Sequence, residues 1–227
     1  MTSGNVPKIF SAARRIARQA RTEALALRPN TASWLLDEMR QDLEERLAFM
    51  QLEPEHRLDL DRDEEQPVAG GPYDLITSIA RLDTVNDLPG ALIHMRNALA
   101  TGGLMIAQIV GAGSLPMLRQ IMLAADGDRP AARIHPQVDN RAATGLLERA
   151  GFARQVVDSA TLRASYRSLD RLISDLREQG LGSVLLSPAP YVGKAGLARA
   201  HEAFERLKDS EGRVTETFEI LTLTGWR

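Results

Sequence analysis

Apolar side chains at helical spacing predict two helices at the start of the chain. On the first helix, small or apolar residues from Phe10 to Ala24 share one face. Pro29 interrupts this pattern, and either Thr31 or Ser33 can cap a second helix that carries leucines at helical spacing. Two helices therefore precede the predicted sheet.

A strand, a helix and another strand follow in close succession. Residues 73–79 have the pattern of a buried strand, and residues 104–110 form a near-continuous apolar run. Between them, Asp87 can cap a helix that has Pro89 in its first turn. Near-continuous apolar strands are typical of parallel sheets that helices cover on both faces. The pattern therefore predicts an α/β fold.

The second half of the chain predicts four more helices and two more strands. Three of these helices have expected N-terminal caps, which are Ser114, Asp139 and Ser168. The fourth helix is expected at residues 197–207. The strands are expected at residues 162–166 and 214–223, while residues 152–157 turn back toward the sheet.

Composition and charge exclude several classes of protein. Apolar residues make up 44% and charged residues 26% of the 227 residues, which is ordinary for a globular protein. A formal net charge of −2 argues against specific nucleic-acid binding. Because the chain has no cysteine, disulfides, thiolate metal sites and cysteine nucleophiles are excluded. We expect one globular unit, 1–227, in which helices of residues 1–50 pack on a domain of residues 51–227.

The sequence predicts no membrane span and no secretory signal. The apolar run 104–110 is far shorter than the ~20 residues that cross a bilayer. Cytoplasmic residence is therefore expected. The first helix carries five cations on one side, and these predict either a solvated helix face or a weak contact with an acidic membrane surface, protein or nucleic acid. They are Lys8, Arg14, Arg15, Arg18 and Arg21.

The segment after the first expected strand lacks the glycines that a nucleotide-binding loop needs. Leu58-Asp59-Leu60 has the pattern of that strand, and residues 61–67 follow it with four carboxylates and no glycine. Forcing ordinary residues into left-handed turns costs roughly 1–2 kcal/mol each.

Clustered acids suit Mg²⁺ or Ca²⁺, but their spacing fits no EF-hand, and the four histidines lack metal-ligand spacing. We predict no metal site.

Several motifs in the second and later strands resemble a known family. Tyr73-Asp74-Leu75-Ile76 and the segment Val85 to Leu92 resemble the class I S-adenosylmethionine-dependent methyltransferases of the biotin-pathway type. The tail, Thr217-Phe218-Glu219-Ile220-Leu221 and Leu223-Thr224-Gly225-Trp226, is similar to alphaproteobacterial relatives of the mitochondrial complex I assembly methyltransferase-like factor. The resemblance spans residues 73–226.

The resemblance implies a Rossmann-like sheet that is mostly parallel with an antiparallel last strand. In this family a glycine-rich loop after the first strand lets the backbone approach S-adenosylmethionine, and an acid at the end of the second strand holds the ribose. Neither element can be placed in this chain. Residues 61–72 are too few for the elements between the family's first and fourth strands, since one βαβ unit needs roughly 30 residues. We therefore predict a truncated Rossmann-like sheet with helices on both faces.

Four residues are predicted remnants of a cofactor site. They are Asp59, Asp61, Ile79 and Asp87, of which the last is also explained as a helix cap. Just before Val-Asn-Asp, where relatives usually carry an aromatic, this chain has Asp83-Thr84. The wall of the family's site is therefore expected to be altered.

Three further residues are weaker candidates. Arg119 and Arg141 match family positions that could grip an anion or a partner, although surface ion pairs explain them as well. His135, beside Pro136, could act as a general base, but a surface position is the simpler expectation. No catalytic residue is predicted.

The function predicted from these features is that of a methyltransferase-like protein with a degenerate cofactor site. We expect it to be a non-catalytic binding or assembly factor that does not bind S-adenosylmethionine. The resemblance implies a protein client related to respiratory complex I, and in the mitochondrial relatives an arginine-hydroxylating activity. The alternative is an active S-adenosylmethionine-dependent methyltransferase whose pocket is rebuilt around the four remnant residues. A third possibility is a homo-oligomer in which a second copy covers the shortened sheet edge.

Overall fold

The computed structural model describes residues 7–60 and 68–227, and within these ranges the chain forms seven helices and five strands. The helices are α1 (Ala12–Ala26), α2 (Trp34–Phe49), α3 (Leu88–Ala98), α4 (Pro116–Asp126), α5 (Asn140–Ala150), α6 (Leu169–Glu178) and α7 (Lys194–Arg206). The strands are β1 (Arg57–Leu60), β2 (Tyr73–Ile79), β3 (Leu99–Val110), β4 (Arg154–Tyr166) and β5 (Val214–Trp226). A short 3₁₀ helix covers Leu82–Thr84.

The strands of the described residues form one sheet in the order β1-β2-β3-β5-β4. β1, β2 and β3 are parallel, and β5 runs antiparallel to both of its neighbours, β3 and β4. Four strands therefore point one way, and the last strand of the chain points the other way. The predicted mostly parallel sheet with an antiparallel last strand is confirmed.

β1 lies at one edge of this sheet and pairs directly with β2. Its register places Arg57 opposite Leu75 and Leu60 opposite Ser78. Residues 61–72 make the whole connection between the two strands. Parallel neighbours need a crossover of about a dozen or more residues, which usually contains a helix. The connection is at the lower limit of that range, as the predicted shortening requires.

Helices cover both faces of the sheet, as expected for this fold class. α3 and α5 lie on one face, where Leu92 and Leu147 pack with Leu223. α2, α4, α6 and α7 lie on the other face, where Phe204 and Phe218 are fully buried. The sheet thus separates two apolar layers, and each of these six helices packs buried side chains against one of them, whereas α1 has no buried residue. The division into residues 1–50 and 51–227 stays a prediction.

Three predicted helix caps are confirmed. Asp87, Asp139 and Ser168 each accept a hydrogen bond from the backbone N–H three residues further on, at 2.9, 2.7 and 3.2 Å. α5 ends at Gly151, whose φ of 81° is a left-handed conformation that glycine adopts without steric cost. Local sequence signals therefore place these helix ends correctly.

The predicted cap of α4 is wrong. Leu115, with a φ of 60°, precedes the helix, and Pro116 begins it. The Ser114 hydroxyl instead bonds to the backbone of Glu219, donating to its carbonyl at 3.3 Å and accepting from its N–H at 2.8 Å. The buried carboxylate of Glu216 accepts hydrogen bonds from two N–H groups in the first turn of α4, at 3.3 and 2.8 Å. A residue from β5, distant in sequence, therefore caps this helix.

β4 is longer than predicted. It runs without interruption from residue 154 to residue 166 and pairs with β5 over its whole length. Most of residues 152–157, expected to turn back toward the sheet, already belong to this strand. The expected strand at 162–166 is therefore its second half.

The basic side of α1 is not a simple solvated face, which corrects one of the two sequence-based interpretations. Arg15 donates a hydrogen bond to the Thr84 carbonyl at 3.0 Å. Arg14 and Arg18 donate to carbonyls of residues 182–183 at 3.5 and 3.2 Å. These arginines therefore hold α1 against two loops at the carboxyl end of the sheet.

Gly225 on β5 offers a test of core packing. A Cβ atom at this position would lie 2.6 Å from Cδ1 and 2.7 Å from Cγ of the Phe152 ring. We expect Gly225→Ala to lower the free energy of unfolding by about 1–3 kcal/mol in urea titrations, because the ring must move within a packed core. The control is Gly145→Ala in α5, where an added Cβ meets nothing within 4 Å and is expected to stabilise the helix by about 0.5–1 kcal/mol. Equal effects of the two substitutions would contradict this packing.

Candidate functional site

The carboxyl ends of β1, β2 and β3 lie on the same edge of the sheet because these strands are parallel. Ligands of open α/β sheets bind in crevices at this edge. Two of the cavities among the described residues open there. The first, here the β2 cavity, lies between the end of β2 and helices α1 and α2. The second, here the β3 cavity, lies between the end of β3 and helices α4 and α6.

Asp59, a predicted remnant of the cofactor site, lines neither cavity. Its exposed carboxylate accepts a hydrogen bond from the Thr77 hydroxyl and forms an ion pair with Arg57 at 2.8 Å. Arg57 also pairs with Glu44 of α2 at 2.9 Å. The Asp59 carboxylate therefore links β1 to β2, and Arg57 links β1 to α2.

Ile79, at the end of β2, does line the β2 cavity, which has a volume of about 190 Å³. Arg15 and Arg18 of α1 form part of its wall, and Arg18 donates a hydrogen bond to the Thr84 hydroxyl at 3.1 Å. Small-molecule sites usually measure roughly 300–1,000 Å³. The cavity is therefore small for a nucleoside cofactor.

The Asp87 carboxylate caps α3. Asn86, the residue before it, has a separate structural role that the sequence did not indicate. The Asn86 side-chain carbonyl accepts hydrogen bonds from the N–H groups of Ile9 and Phe10, both at 2.8 Å. Its amide donates to the Phe10 carbonyl at 3.1 Å. Asn86 and Asp87 thus join the start of α3 to the segment that leads into α1.

The remaining candidates are not brought together. Asp61 lies outside the described residues. Arg119 and Arg141 are exposed on α4 and α5, and neither forms an ion pair or side-chain hydrogen bond with any residue in 7–60 or 68–227. Because α4 and α5 cover opposite faces of the sheet, these two arginines cannot grip one anion together.

The β3 cavity is larger, with a volume of about 330 Å³, which is within the range of small-molecule sites. Residues 133–138 and 181–183 complete the walls that β3, α4 and α6 begin. Most of the lining is apolar and includes Ile109, Met122 and Ile173. This cavity was not predicted, because its walls come from segments far apart in sequence.

Asp83 is an acidic residue of the β3 cavity and lies in the 3₁₀ helix after β2. Its Oδ1 atom is buried and has no hydrogen-bond partner in the part of the chain that the structure describes. Burial raises the pKa of Asp83, and the nearby charges of Arg18 and Arg81 offset this only in part. A carboxyl in such surroundings loses its proton less readily than an exposed one.

His135 lines the same cavity and is half-buried, not at the surface as the simpler expectation had it. Its Nε2 accepts a hydrogen bond from the Val184 N–H at 2.8 Å, which assigns the proton of the neutral ring to Nδ1. Burial, together with the charges of Arg18 and Arg14, lowers the pKa of His135 to about 4. The basic nitrogen is therefore occupied, which argues against the alternative interpretation as a general base.

Arg18 lies close to both of these groups, and its own pKa is lowered by burial. Arg133, on another wall of the β3 cavity, forms an ion pair with the buried carboxylate of Asp126 at 2.5 Å. The cavity thus combines mainly apolar walls with several polar side chains, among them Asp83 and His135, and with the nearby positive charge of Arg18. This arrangement suits binding of a polar head on an apolar body.

No group of three or more His, Cys, Asp or Glu side chains that could hold a metal ion occurs in the described ranges. Within the same residues, no helix has the length and apolar character needed to cross a membrane.

Comparison with known proteins identifies relatives of the chain. A family model described as a methyltransferase domain matches residues 15–157, which include β1, β2, β3 and both cavity-forming loops after β2 and β3. Among solved structures, the YcgJ protein from Bacillus subtilis superposes with a TM-score of 0.44 and 9% identity, covering 73% of this chain and 69% of that chain.

Two curated relatives illustrate the range of names among similar proteins. The malonyl-[acyl-carrier protein] O-methyltransferase of Gallionella capsiferriformans is 27% identical over 162 residues, which cover 71% of this chain and 54% of that protein. The arginine-hydroxylase NDUFAF5, mitochondrial, of Homo sapiens is 28% identical over 166 residues, which cover 71% of this chain and 48% of that protein. The chain thus spans about half the length of these relatives.

The lowered pKa of His135 predicts a pH dependence of stability. As pH falls from 6.5 to about 4, the unfolded state takes up a proton that the folded state does not, so the free energy of unfolding decreases. Urea unfolding across this window is expected to show a smaller decrease in the free energy of unfolding for His135→Gln than for the wild type. The two slopes are expected to differ by up to about 1.4 kcal/mol per pH unit. His56→Gln, at an exposed histidine, is the control. An unchanged slope in His135→Gln would contradict this assignment.

Proposed function

The chain belongs to the methyltransferase domain family, and on that premise we propose that it is a binding or assembly factor that no longer transfers methyl groups. The observation that carries this proposal is the position of β1. It is an edge strand, and residues 61–72 are all that separate it from β2. The proposed role does not use S-adenosylmethionine, the cofactor that the family resemblance implies.

The position of β1 bears on cofactor binding through the elements that normally follow a first strand. In doubly wound folds the turn after this strand leads into a helix whose N-terminus faces the cofactor, and the next strand supplies a ribose ligand. Here the next strand in the chain is β2, which is already the direct neighbour of β1. A connection of residues 61–72 is too short for a further βαβ unit, which needs roughly 30 residues.

The contacts of the candidate residues also support loss of the cofactor site. Asp59 is bound to Thr77 and Arg57, and Asp87 caps α3. The β2 cavity of about 190 Å³ is bounded by α1, which hydrogen bonds hold in place. The described residues around β1 and β2 therefore do not fit a nucleoside cofactor.

A protein partner is the proposed client, and two features support it. The tail motifs resemble those of complex I assembly factors, so a subunit of respiratory complex I is the first candidate. Exposed apolar side chains also lie on the surface, among them Leu186 and Tyr191, which are 51% and 94% exposed. A second copy of the chain pairing with the β1 edge is a further proposed association.

The alternative function is an active methyltransferase with a rebuilt pocket. It is favoured by the names of relatives such as malonyl-[acyl-carrier protein] O-methyltransferase, and by the family match, which includes the end of β2. The two functions differ in whether the chain binds S-adenosylmethionine.

Calorimetry distinguishes the two functions. Titration with S-adenosylmethionine or S-adenosylhomocysteine is expected to give no binding heat up to millimolar ligand. Residues 61–67, directly after β1, contain no glycine for a cofactor-binding turn, and the cavity at the end of β2 measures only about 190 Å³. The malonyl-[acyl-carrier protein] O-methyltransferase of Gallionella capsiferriformans, titrated under the same conditions, is the positive control. Micromolar binding by this chain would reject the proposed function and support the alternative.

A further inference from the structure

The β3 cavity combines apolar walls with polar groups that converge on one region. The Asp83 carboxyl and the His135 ring line it, and Arg18 lies close to both. A mainly apolar pocket with a few convergent polar groups is typical of a small-molecule site. The volume of about 330 Å³ leaves room for a ligand of modest size.

Asp83 and His135, two of the polar residues that line this cavity, have side chains that can donate hydrogen bonds into it. The Nε2 atom of His135 is occupied by the Val184 N–H, so the ring offers its Nδ1–H. Burial raises the pKa of Asp83, and its buried Oδ1 has no partner among the described residues. A buried carboxyl oxygen without a partner disfavours the ionised form, and the protonated form of Asp83 donates through O–H. A ligand that satisfies both groups must offer acceptor atoms.

The charges around the cavity favour an acceptor that is negatively charged. Arg177 is exposed, lines the cavity, and forms no ion pair or side-chain hydrogen bond with other described residues. Arg18 adds a second positive charge close to Asp83. Arg133 is neutralised by Asp126. Arg177 and Arg18 together outweigh the single carboxyl of Asp83 in either of its protonation states, so the balance of charge is positive, a carboxylate is attracted and an ammonium group is repelled.

We propose that the β3 cavity binds a small monocarboxylate with an aliphatic or aromatic body. Asp83 and His135 donate hydrogen bonds to the carboxylate, Arg18 balances its charge, and the body packs against apolar side chains such as Leu118 and Met122. This inference rests on the proposed binding function and names the class of ligand. Binding requires no covalent step and no cofactor.

Three probes with the same chain length test the class of ligand. The full chain is titrated at neutral pH with sodium octanoate, 1-octanol and octylammonium chloride, and binding is followed by ¹H–¹⁵N NMR and calorimetry. Octanoate is expected to bind at least about tenfold more tightly than octanol, because only the anion makes charge-assisted hydrogen bonds. Octylammonium is expected to bind most weakly. Equal affinities for all three, or a preference for octylammonium, would overturn the proposal.

Variants at Asp83 test the site itself. Asp83→Leu removes the donor and is expected to weaken octanoate binding roughly tenfold, whereas Asp83→Asn keeps an N–H donor and weakens it less. Asp128→Asn, at an exposed aspartate that lines neither cavity, is the matched control and is expected to bind like the wild type. If Asp83→Leu does not fold by circular dichroism, His135→Leu replaces it with the same expected loss. Wild-type affinity in the folded donor-deficient variant would contradict the site.

The outcomes separate this inference from the proposed function. Absence of octanoate binding would overturn the carboxylate site without bearing on whether S-adenosylmethionine binds. Octanoate binding together with micromolar S-adenosylmethionine binding would support the site and reject only the non-catalytic role.

Discussion

The direct pairing of β1 with β2 is the constraint on which the rest of the structure depends. Leu58 lies opposite Ile76 in this register, and Leu58 and Leu60 pack against the apolar layer beneath α3 and α5. A slip of one residue would turn both leucines to the other face, so burial fixes the register. With β1 paired in this way, residues 61–72 cannot carry the strands and helices of a cofactor-binding half.

The elements at the carboxyl edge of the sheet are arranged in agreement with the β1–β2 pairing. α1 lies against it, held by arginine hydrogen bonds to Thr84 and Gly182 and by the contacts of Asn86 with the preceding segment. The same packing buries Arg18 near Asp83, so a helix that bounds the β2 cavity also sets the charge beside the β3 cavity. The larger binding space thus lies beside β3, not beside β1.

Features encoded by neighbouring residues could be predicted from the sequence. The caps at Asp87, Asp139 and Ser168 follow from side chains that bond three residues away, and the shortening between β1 and β2 follows from chain length. The left-handed Leu115 was missed because Glu216, from a distant strand, caps α4. Helix ends of this kind are decided by long-range contacts, which no local sequence pattern indicates.

The candidate site shows the same division. Ile79 lies at a cavity because it is the last residue of β2, whereas the carboxylate of Asp59 is bound by Thr77 and Arg57. Asp83 and His135 are far apart in sequence, and only the folded chain brings them to the walls of one cavity. The one local signal for Asp83 was its acidic character where relatives usually carry an aromatic.

Since the chain has no cysteine, the measurement that most directly tests the β1–β2 pairing is disulfide formation in the double variant Asp59→Cys/Thr77→Cys. Oxidation of the folded monomer is expected to consume both thiols in an intramolecular bond, whereas two thiols that remain reactive in a folded protein would contradict the pairing.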